Sequence, residues 1–96
     1  MQSEQVVPDT WRDLNSTERD ILYILAVHGR QVGLAITRAR GRGRQNQNTV
    51  GRALPDLREQ GLIRSEPATD RPGTGEYHEL TDAGWDVIHD SPVQVE

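Results

Sequence analysis

The chain has 96 residues, of which 33% are hydrophobic and 4% aromatic, and its formal net charge at pH 7 is −4. This length fits one small domain, and the absence of cysteine excludes disulfides, thiol redox chemistry and cysteine-ligated zinc. No apolar run approaches the ~18 residues of a transmembrane helix. Since the first residues also lack the basic start and apolar stretch of a signal peptide, we expect a cytoplasmic protein.

Charge is distributed unevenly along the chain. Residues 1–29 hold two arginines and five acids, residues 30–64 eight arginines and two acids, and residues 65–96 one arginine and eight acids. All basic residues are arginine, which, with the excess of acids, is typical of salt-loving organisms; a GC-rich gene is the alternative explanation. A basic middle segment between acidic ends indicates a molecule with one anion-facing side.

The first predicted helix follows a flexible N-terminal arm, residues 1–13. Asn15 is a good N-cap, and Glu18 three residues later completes a capping box. Apolar residues recur at helical spacing from there to Gly29, which ends the helix, and His28 falls on the predicted buried face.

A second, shorter helix is predicted over residues 32–40, where small and apolar side chains recur at helical spacing. In this prediction Leu34, Ala35 and Ala39 face inward. The glycines of the sequence GRGRQ, residues 41–45, end the helix in a short turn.

The third helix is predicted over residues 46–60, capped by the asparagine at its start. Its buried face is predicted to hold Val50, Leu54 and Leu57, which are spaced i, i+4 and i+7. Pro55 lies inside this helix and predicts a kink, because proline removes one backbone hydrogen bond and clashes with the preceding turn.

Two strands and a last helix complete the pattern. The segments LIRSE (62–66) and EYHEL (76–80) flank a stretch rich in proline and glycine, which predicts an extended hairpin. Alternation in the second strand places His78 and Leu80 on one face, and Thr81 caps a short final helix. The order predicts an α+β winged helix-turn-helix, with three helices, a β-hairpin wing and a short C-terminal helix.

Two segments carry a family resemblance: NTVGRALPDLREQGLI, and YHELTDAGWDVI after the glycine-rich wing. With the leading LNSTERDILYILAVHG, they resemble the PadR-like winged-helix transcriptional regulators, notably the small haloarchaeal type. The resemblance covers about residues 14–90, the predicted domain, and leaves 91–96 as a tail. It implies sequence-specific binding of double-stranded DNA and control of transcription, with repression favoured over activation.

Charge and helix geometry select the candidate DNA-contacting residues. Asn and Gln pair with adenine and Arg with guanine, so the face opposite the buried stripe provides the base-reading candidates Gln47, Asn48, Gly51 and Arg52. Phosphate contacts are predicted around the turn between the second and third helices, from Arg38, Arg40, Arg42, Arg44 and Thr49. Arg71, the sole basic residue of the wing, is predicted to reach a minor groove or a flanking phosphate. The alternative is a solvated turn whose arginines serve solubility.

Other functions are not expected from the sequence. The spacings of His28, His78 and His89 match no metal-ligand pattern, and no catalytic set or phosphate loop is recognisable, so we predict neither an enzyme nor a cofactor. A homodimer is predicted, because one recognition helix reads few base pairs. Its candidate surfaces are the N-terminal arm with Trp11 and the last predicted helix with Val87. The alternative function is a winged-helix module that binds proteins without contacting DNA.

Overall fold

The structure, a computed structural model, describes residues 9–41, 44–67 and 75–91, and side chains over 10–41, 48–67 and 75–91. The elements in these ranges are α1 (Asp9–Asp13), α2 (Ser16–His28), β1 (Gln31–Val32), α3 (Gly33–Arg40), α4 (Arg44–Glu59), β2 (Ile63–Pro67), β3 (Glu76–Leu80) and α5 (Asp82–Asp90). No helix in the described part of the chain is long and apolar enough to cross a membrane.

The predicted capping box begins α2. The Asn15 side chain accepts a hydrogen bond from the backbone N–H of Glu18 at 2.8 Å, and the Glu18 carboxylate accepts one from the backbone N–H of Asn15 at 2.9 Å. Gly29 ends the helix with φ +78°, a conformation that favours glycine. These predictions are confirmed, whereas His28, expected on the buried face, is exposed.

Helix α1 lies inside the predicted N-terminal arm and was missed by the sequence analysis. Its Trp11 is 7% exposed, and the Arg19 guanidinium lies 5.4 Å from the centre of the indole ring. Trp11 and Val87 both belong to the hydrophobic core of the chain. The chain's own fold therefore covers these two side chains, and the dimer surfaces expected on the arm and on the last helix stay predictions.

The inward face of α3 also differs from the prediction. Leu34 is 53% exposed and Ala39 is exposed, while Ile36 is fully buried and Val32, just before the helix, is 8% exposed. The two β-branched residues, four positions apart, set the register of α3 against the core, and this register turns Leu34 toward solvent.

Helix α4 begins at Arg44, two residues earlier than predicted, so the asparagine at position 46 lies within the helix and does not cap it. The predicted buried face is confirmed, since Val50, Leu54 and Leu57 are 1%, 8% and 0% exposed. The helix continues through Pro55, which is exposed.

The wing strands belong to a three-stranded antiparallel sheet with the order β1-β3-β2. Strand β1 was not predicted; it has two residues and pairs Gln31 with His78. The second predicted strand is confirmed as β3, in which His78 and Leu80 are buried. The tip of the hairpin, residues 68–74, lies outside the described residues.

Helix α5 begins close to Gly61 and Leu62, which lie between α4 and β2. Thr81 caps it as predicted, accepting a hydrogen bond from the backbone N–H of Gly84 at 3.1 Å. The backbone of Thr81 donates to the Leu62 carbonyl at 3.1 Å, and its hydroxyl donates to the Gly61 carbonyl at 2.5 Å. These bonds hold α5 against the chain between α4 and β2. The fold thus presents α3, the turn and α4 as a helix-turn-helix, followed by the hairpin of β2 and β3.

Candidate nucleic-acid interface

The exposed face of α4 carries three of the four predicted base-reading residues. Asn48, Gly51 and Arg52 are all exposed, opposite the buried stripe that anchors the helix. The fourth, Gln47, lies in the helical backbone of α4, but its side chain is outside the described residues. The described part of this face thus offers an amide and a guanidinium one helical turn apart, at positions 48 and 52.

The predicted phosphate contacts have different environments. Arg38 is exposed near the end of α3, and Thr49 is exposed on α4. Arg40 is half-buried, and its Nε lies 3.0 Å from a carboxylate oxygen of Asp20 on α2. Two further predictions, Arg42 and Arg71, lie outside the described residues, as does the side chain of Arg44.

Two arginines at the edges of this surface have acidic partners. Arg58, near the end of α4, lies 3.3 Å from a carboxylate oxygen of Glu76 on β3. The Nε of Arg64 on β2 lies 2.5 Å from a carboxylate oxygen of Glu79 on β3, and the hydrogen bond that the guanidinium donates to this carboxylate raises the pKa of Arg64 above its usual value. Such exposed pairs contribute little to stability, because water screens both charges.

The arginines without a partner are therefore few. Arg30 lies over the ring of Tyr77, with 4.2 Å from the guanidinium carbon to the ring centre. Among the arginine side chains that the structure describes in the basic middle segment, only Arg38 and Arg52 make no hydrogen bond, ion pair or ring contact with other described residues. Both lie on the helix-turn-helix, one on each helix. The sequence predicted DNA contacts for both of these arginines and equally for Arg40, because the pairing of Arg40 with Asp20 is not visible in the sequence.

A shallow groove between α3 and α4 adjoins these two arginines. It is lined by Gly33, Leu34, Thr37, Val50, Gly51 and Leu54. Leu34 is a member of this surface that sequence reasoning missed. The spacing of Val32 and Ile36 was the available signal, because a helix that buries both turns position 34 outward.

The histidines do not form a site. His78 is 5% exposed, its Nδ1 lies 2.7 Å from the Ser65 hydroxyl, and burial lowers its pKa below the usual 6.5. His28 and His89 are exposed on different helices. No group of three histidine, aspartate or glutamate side chains in the described ranges is placed to hold a metal ion.

Comparison with known proteins agrees with this fold. No protein-family model and no curated protein matches the sequence. Several solved structures do match. RosR of H. salinarum in the hsRosR-S4 complex has a TM-score of 0.71 at 23% identity, covering 88% of this chain and 73% of that chain. A second RosR structure, from crystals grown with NaBr, has a TM-score of 0.63 at 26% identity over 82% and 72%.

Two bacterial regulators have the same architecture. The adhesin competence repressor AdcR of Streptococcus pyogenes has a TM-score of 0.66 at 22% identity, over 82% of this chain and 56% of that chain. The MarR family regulator NMB1585 of Neisseria meningitidis has a TM-score of 0.60 at 24% identity, over 83% and 54%. The chain therefore has the winged-helix fold found in transcription regulators and spans about half the length of these two bacterial proteins.

Proposed function

We propose that the protein is a winged-helix transcriptional regulator that binds double-stranded DNA with α4 in the major groove, and that it acts as a repressor. The observation that carries this proposal is the pairing pattern of the arginines. Arg40, Arg58 and Arg64 have carboxylate partners, whereas Arg38 on α3 and Arg52 on the exposed face of α4 have no such partner among the described residues. The winged-helix fold of the solved regulators supports the same conclusion.

Each exposed group has a defined role in this proposal. Asn48 pairs with the edge of an adenine and Arg52 with the edge of a guanine. Each of these side chains can make two hydrogen bonds to its base in the major groove. Arg38 contacts a phosphate and fixes the position of the helix-turn-helix on the duplex. The backbone N–H groups at the start of α4 add attraction for a phosphate.

The remaining predicted contacts are part of the proposal as well. Arg42, Arg44 and Thr49 contact phosphates around the turn, and Arg71 contacts the DNA beside the wing. Arg40 reaches a phosphate only by exchanging its carboxylate partner, Asp20, so we expect a smaller contribution from it. The finer assignments, a PadR-like homodimer in the cytoplasm whose winged-helix domain spans 14–90, stay predictions.

The test is a fluorescence anisotropy titration of a labelled random-sequence duplex at several salt concentrations. The slope of log affinity against log salt is about −0.9 per phosphate contact. Replacing Arg38 by alanine is expected to weaken binding and make the slope shallower by about one contact. A variant that also carries Arg52→Ala is expected to bind more weakly again. Arg64→Ala is the matched control, because it removes an exposed arginine that is already paired.

Equal binding by the doubly substituted protein and the Arg64→Ala control would contradict the proposal. The alternative function, a module that binds protein and not DNA, has one observation in its favour. Tyr23 and Val27, one turn apart on α2, are 40% and 44% exposed. Absence of binding above background to any duplex, for the wild-type protein and the variants alike, would favour that alternative.

A further inference from the structure

The groove between α3 and α4 has an apolar character that phosphate binding does not require. Leu34, Val50, Leu54 and two glycines form most of its lining, together with Thr37. Leu34 stands at its edge with 53% of its surface exposed, although a core residue such as Ile36 on the same helix is fully buried. Exposed apolar surface of this kind costs free energy in water unless something covers it.

No neighbouring element in the described part of the fold requires glycine at position 51. A Cβ atom built there meets nothing within 4 Å, and its φ is not positive. Glycine inside a helix is less favourable than alanine by about 1 kcal/mol. Since neither packing nor backbone conformation requires glycine here, its free space is available to a group from outside the protein.

Two exposed arginines neighbour the lining residues along their helices. Arg38 follows Leu34 by one helical turn on α3, and Arg52 follows Gly51 directly on α4. Neither has a hydrogen-bond or ion-pair partner among the described residues. An apolar groove on a surface that also carries exposed guanidinium groups is complementary to a ligand that combines a small apolar group with negative charge nearby. A thymine in a DNA strand has this chemistry, because its C5 methyl group projects into the major groove between phosphates.

We propose that the groove formed by Leu34 and Gly51 receives the C5 methyl group of a thymine, and so makes Leu34 a residue that determines base specificity. This inference rests on the proposed DNA-binding function. It adds an apolar contact from α3 to the hydrogen-bonding contacts of α4, and it selects thymine over cytosine at one position of each site.

The experiment begins with a duplex that the wild-type protein selects from a random library. Each thymine of this duplex is then replaced singly by deoxyuridine, which lacks only the methyl group. Fluorescence anisotropy is expected to show about fourfold weaker binding when one particular thymine of each half-site is replaced. This loss corresponds to the burial of one methyl group, which is worth about 0.8 kcal/mol. The other thymines are expected to tolerate the replacement.

Protein variants assign this loss to the groove. Leu34→Ala removes one wall and is expected to bind the thymine and deoxyuridine duplexes equally. Gly51→Ala places a methyl group in the groove and is expected to weaken binding to the thymine duplex more than binding to the deoxyuridine duplex. Val27→Ala, which shortens an exposed aliphatic side chain on α2 outside the groove, is the matched control and keeps the fourfold difference.

Two results would overturn the inference. One is equal binding of the wild-type protein to the parent duplex and to every deoxyuridine copy. The other is a fourfold difference that persists in the Leu34→Ala protein, since the methyl contact would then lie elsewhere. A selection that enriches no duplex overturns the proposed function itself, which is a different outcome from DNA binding without sensitivity to the methyl group.

Discussion

Two helical glycines, Gly84 in α5 and Gly51 in α4, are expected to respond oppositely to replacement by alanine. A Cβ atom at Gly84 would lie 2.1 Å from the carbonyl oxygen of Leu62, and ordinary contact begins at 3.4 Å, so helix and carbonyl must separate by about 1.3 Å. The obstacle is backbone, which cannot rotate away as a flexible side chain does.

The magnitude follows from the bonds that such a shift breaks. The Thr81 backbone donates to the Leu62 carbonyl at 3.1 Å and the Thr81 hydroxyl to the Gly61 carbonyl at 2.5 Å, and both lie at the contact. Each hydrogen bond contributes about 1 kcal/mol and overpacking costs about 1–3 kcal/mol, while alanine recovers about 1 kcal/mol of helix propensity. We expect Gly84→Ala to lower the free energy of unfolding by about 3 kcal/mol.

Gly51→Ala is the matched comparison, because the same chemical change meets open space there. It is expected to raise the free energy of unfolding by about 0.5–1 kcal/mol. The assay is urea unfolding of both variants and the wild type, followed by circular dichroism at 222 nm and by tryptophan fluorescence. A Gly84→Ala protein as stable as the wild type would refute the close approach of α5 to the Leu62 carbonyl, and a destabilised Gly51→Ala protein would refute the open space beside α4.

Two further predictions concern α2 and the sheet. Asn15→Ala removes the side-chain acceptor of the capping box and is expected to lower the free energy of unfolding by about 1 kcal/mol. Ser16→Ala, at the next residue, is the control. An equal loss of stability in the two variants would contradict the role of the cap. Burial lowers the pKa of His78 below 6.5, so the unfolded chain binds a proton first as the pH falls. The free energy of unfolding is therefore expected to decrease below about pH 6.5, and the His78→Gln variant is expected to show a smaller decrease. Urea unfolding from pH 5 to 7.5 measures both profiles, and an unchanged profile in the variant would exclude His78 as the cause.

Local signals in the sequence predicted the elements that local interactions determine. The capping box at Asn15 and Glu18, the buried stripe of α4, and the cap at Thr81 all depend on residues three or four positions apart, and all are confirmed. The winged-helix fold followed from the order of these elements, which the solved regulators share.

Features that depend on distant partners were missed or placed wrongly. Strand β1 has only two residues and exists because Gln31 and Val32 pair with β3, more than forty residues later in the chain. Helix α1 is five residues long and is held by the burial of Trp11 and by Arg19. Neither element is long enough to show a periodic pattern of its own.

The candidate site divides in the same way. The exposed face of α4 was predictable, because a buried stripe fixes the opposite face of a helix. The pairing of each arginine was not predictable, since Arg40 is paired with Asp20, which lies on another helix. Alternating arginines look equivalent in the sequence, and the packing of α3 against α2 distinguishes Arg40 from Arg38.

Net charge is consequently a poor guide to the ligand of this protein. The sum of −4 argues against a polyanion, yet Asp20, Glu76 and Glu79 each act on a nearby arginine and leave Arg38 and Arg52 unaffected. Because exposed pairs contribute little to stability, their main effect is on where free positive charge remains. Within the described residues, these pairs engage one arginine on the flank of α3, one near the end of α4 and one in the sheet. Arg38 and Arg52 keep their charge unpaired there, near the helix face that carries an amide and a glycine. An acidic protein can in this way present a small cationic surface that a duplex meets only in the orientation that brings α4 to its bases.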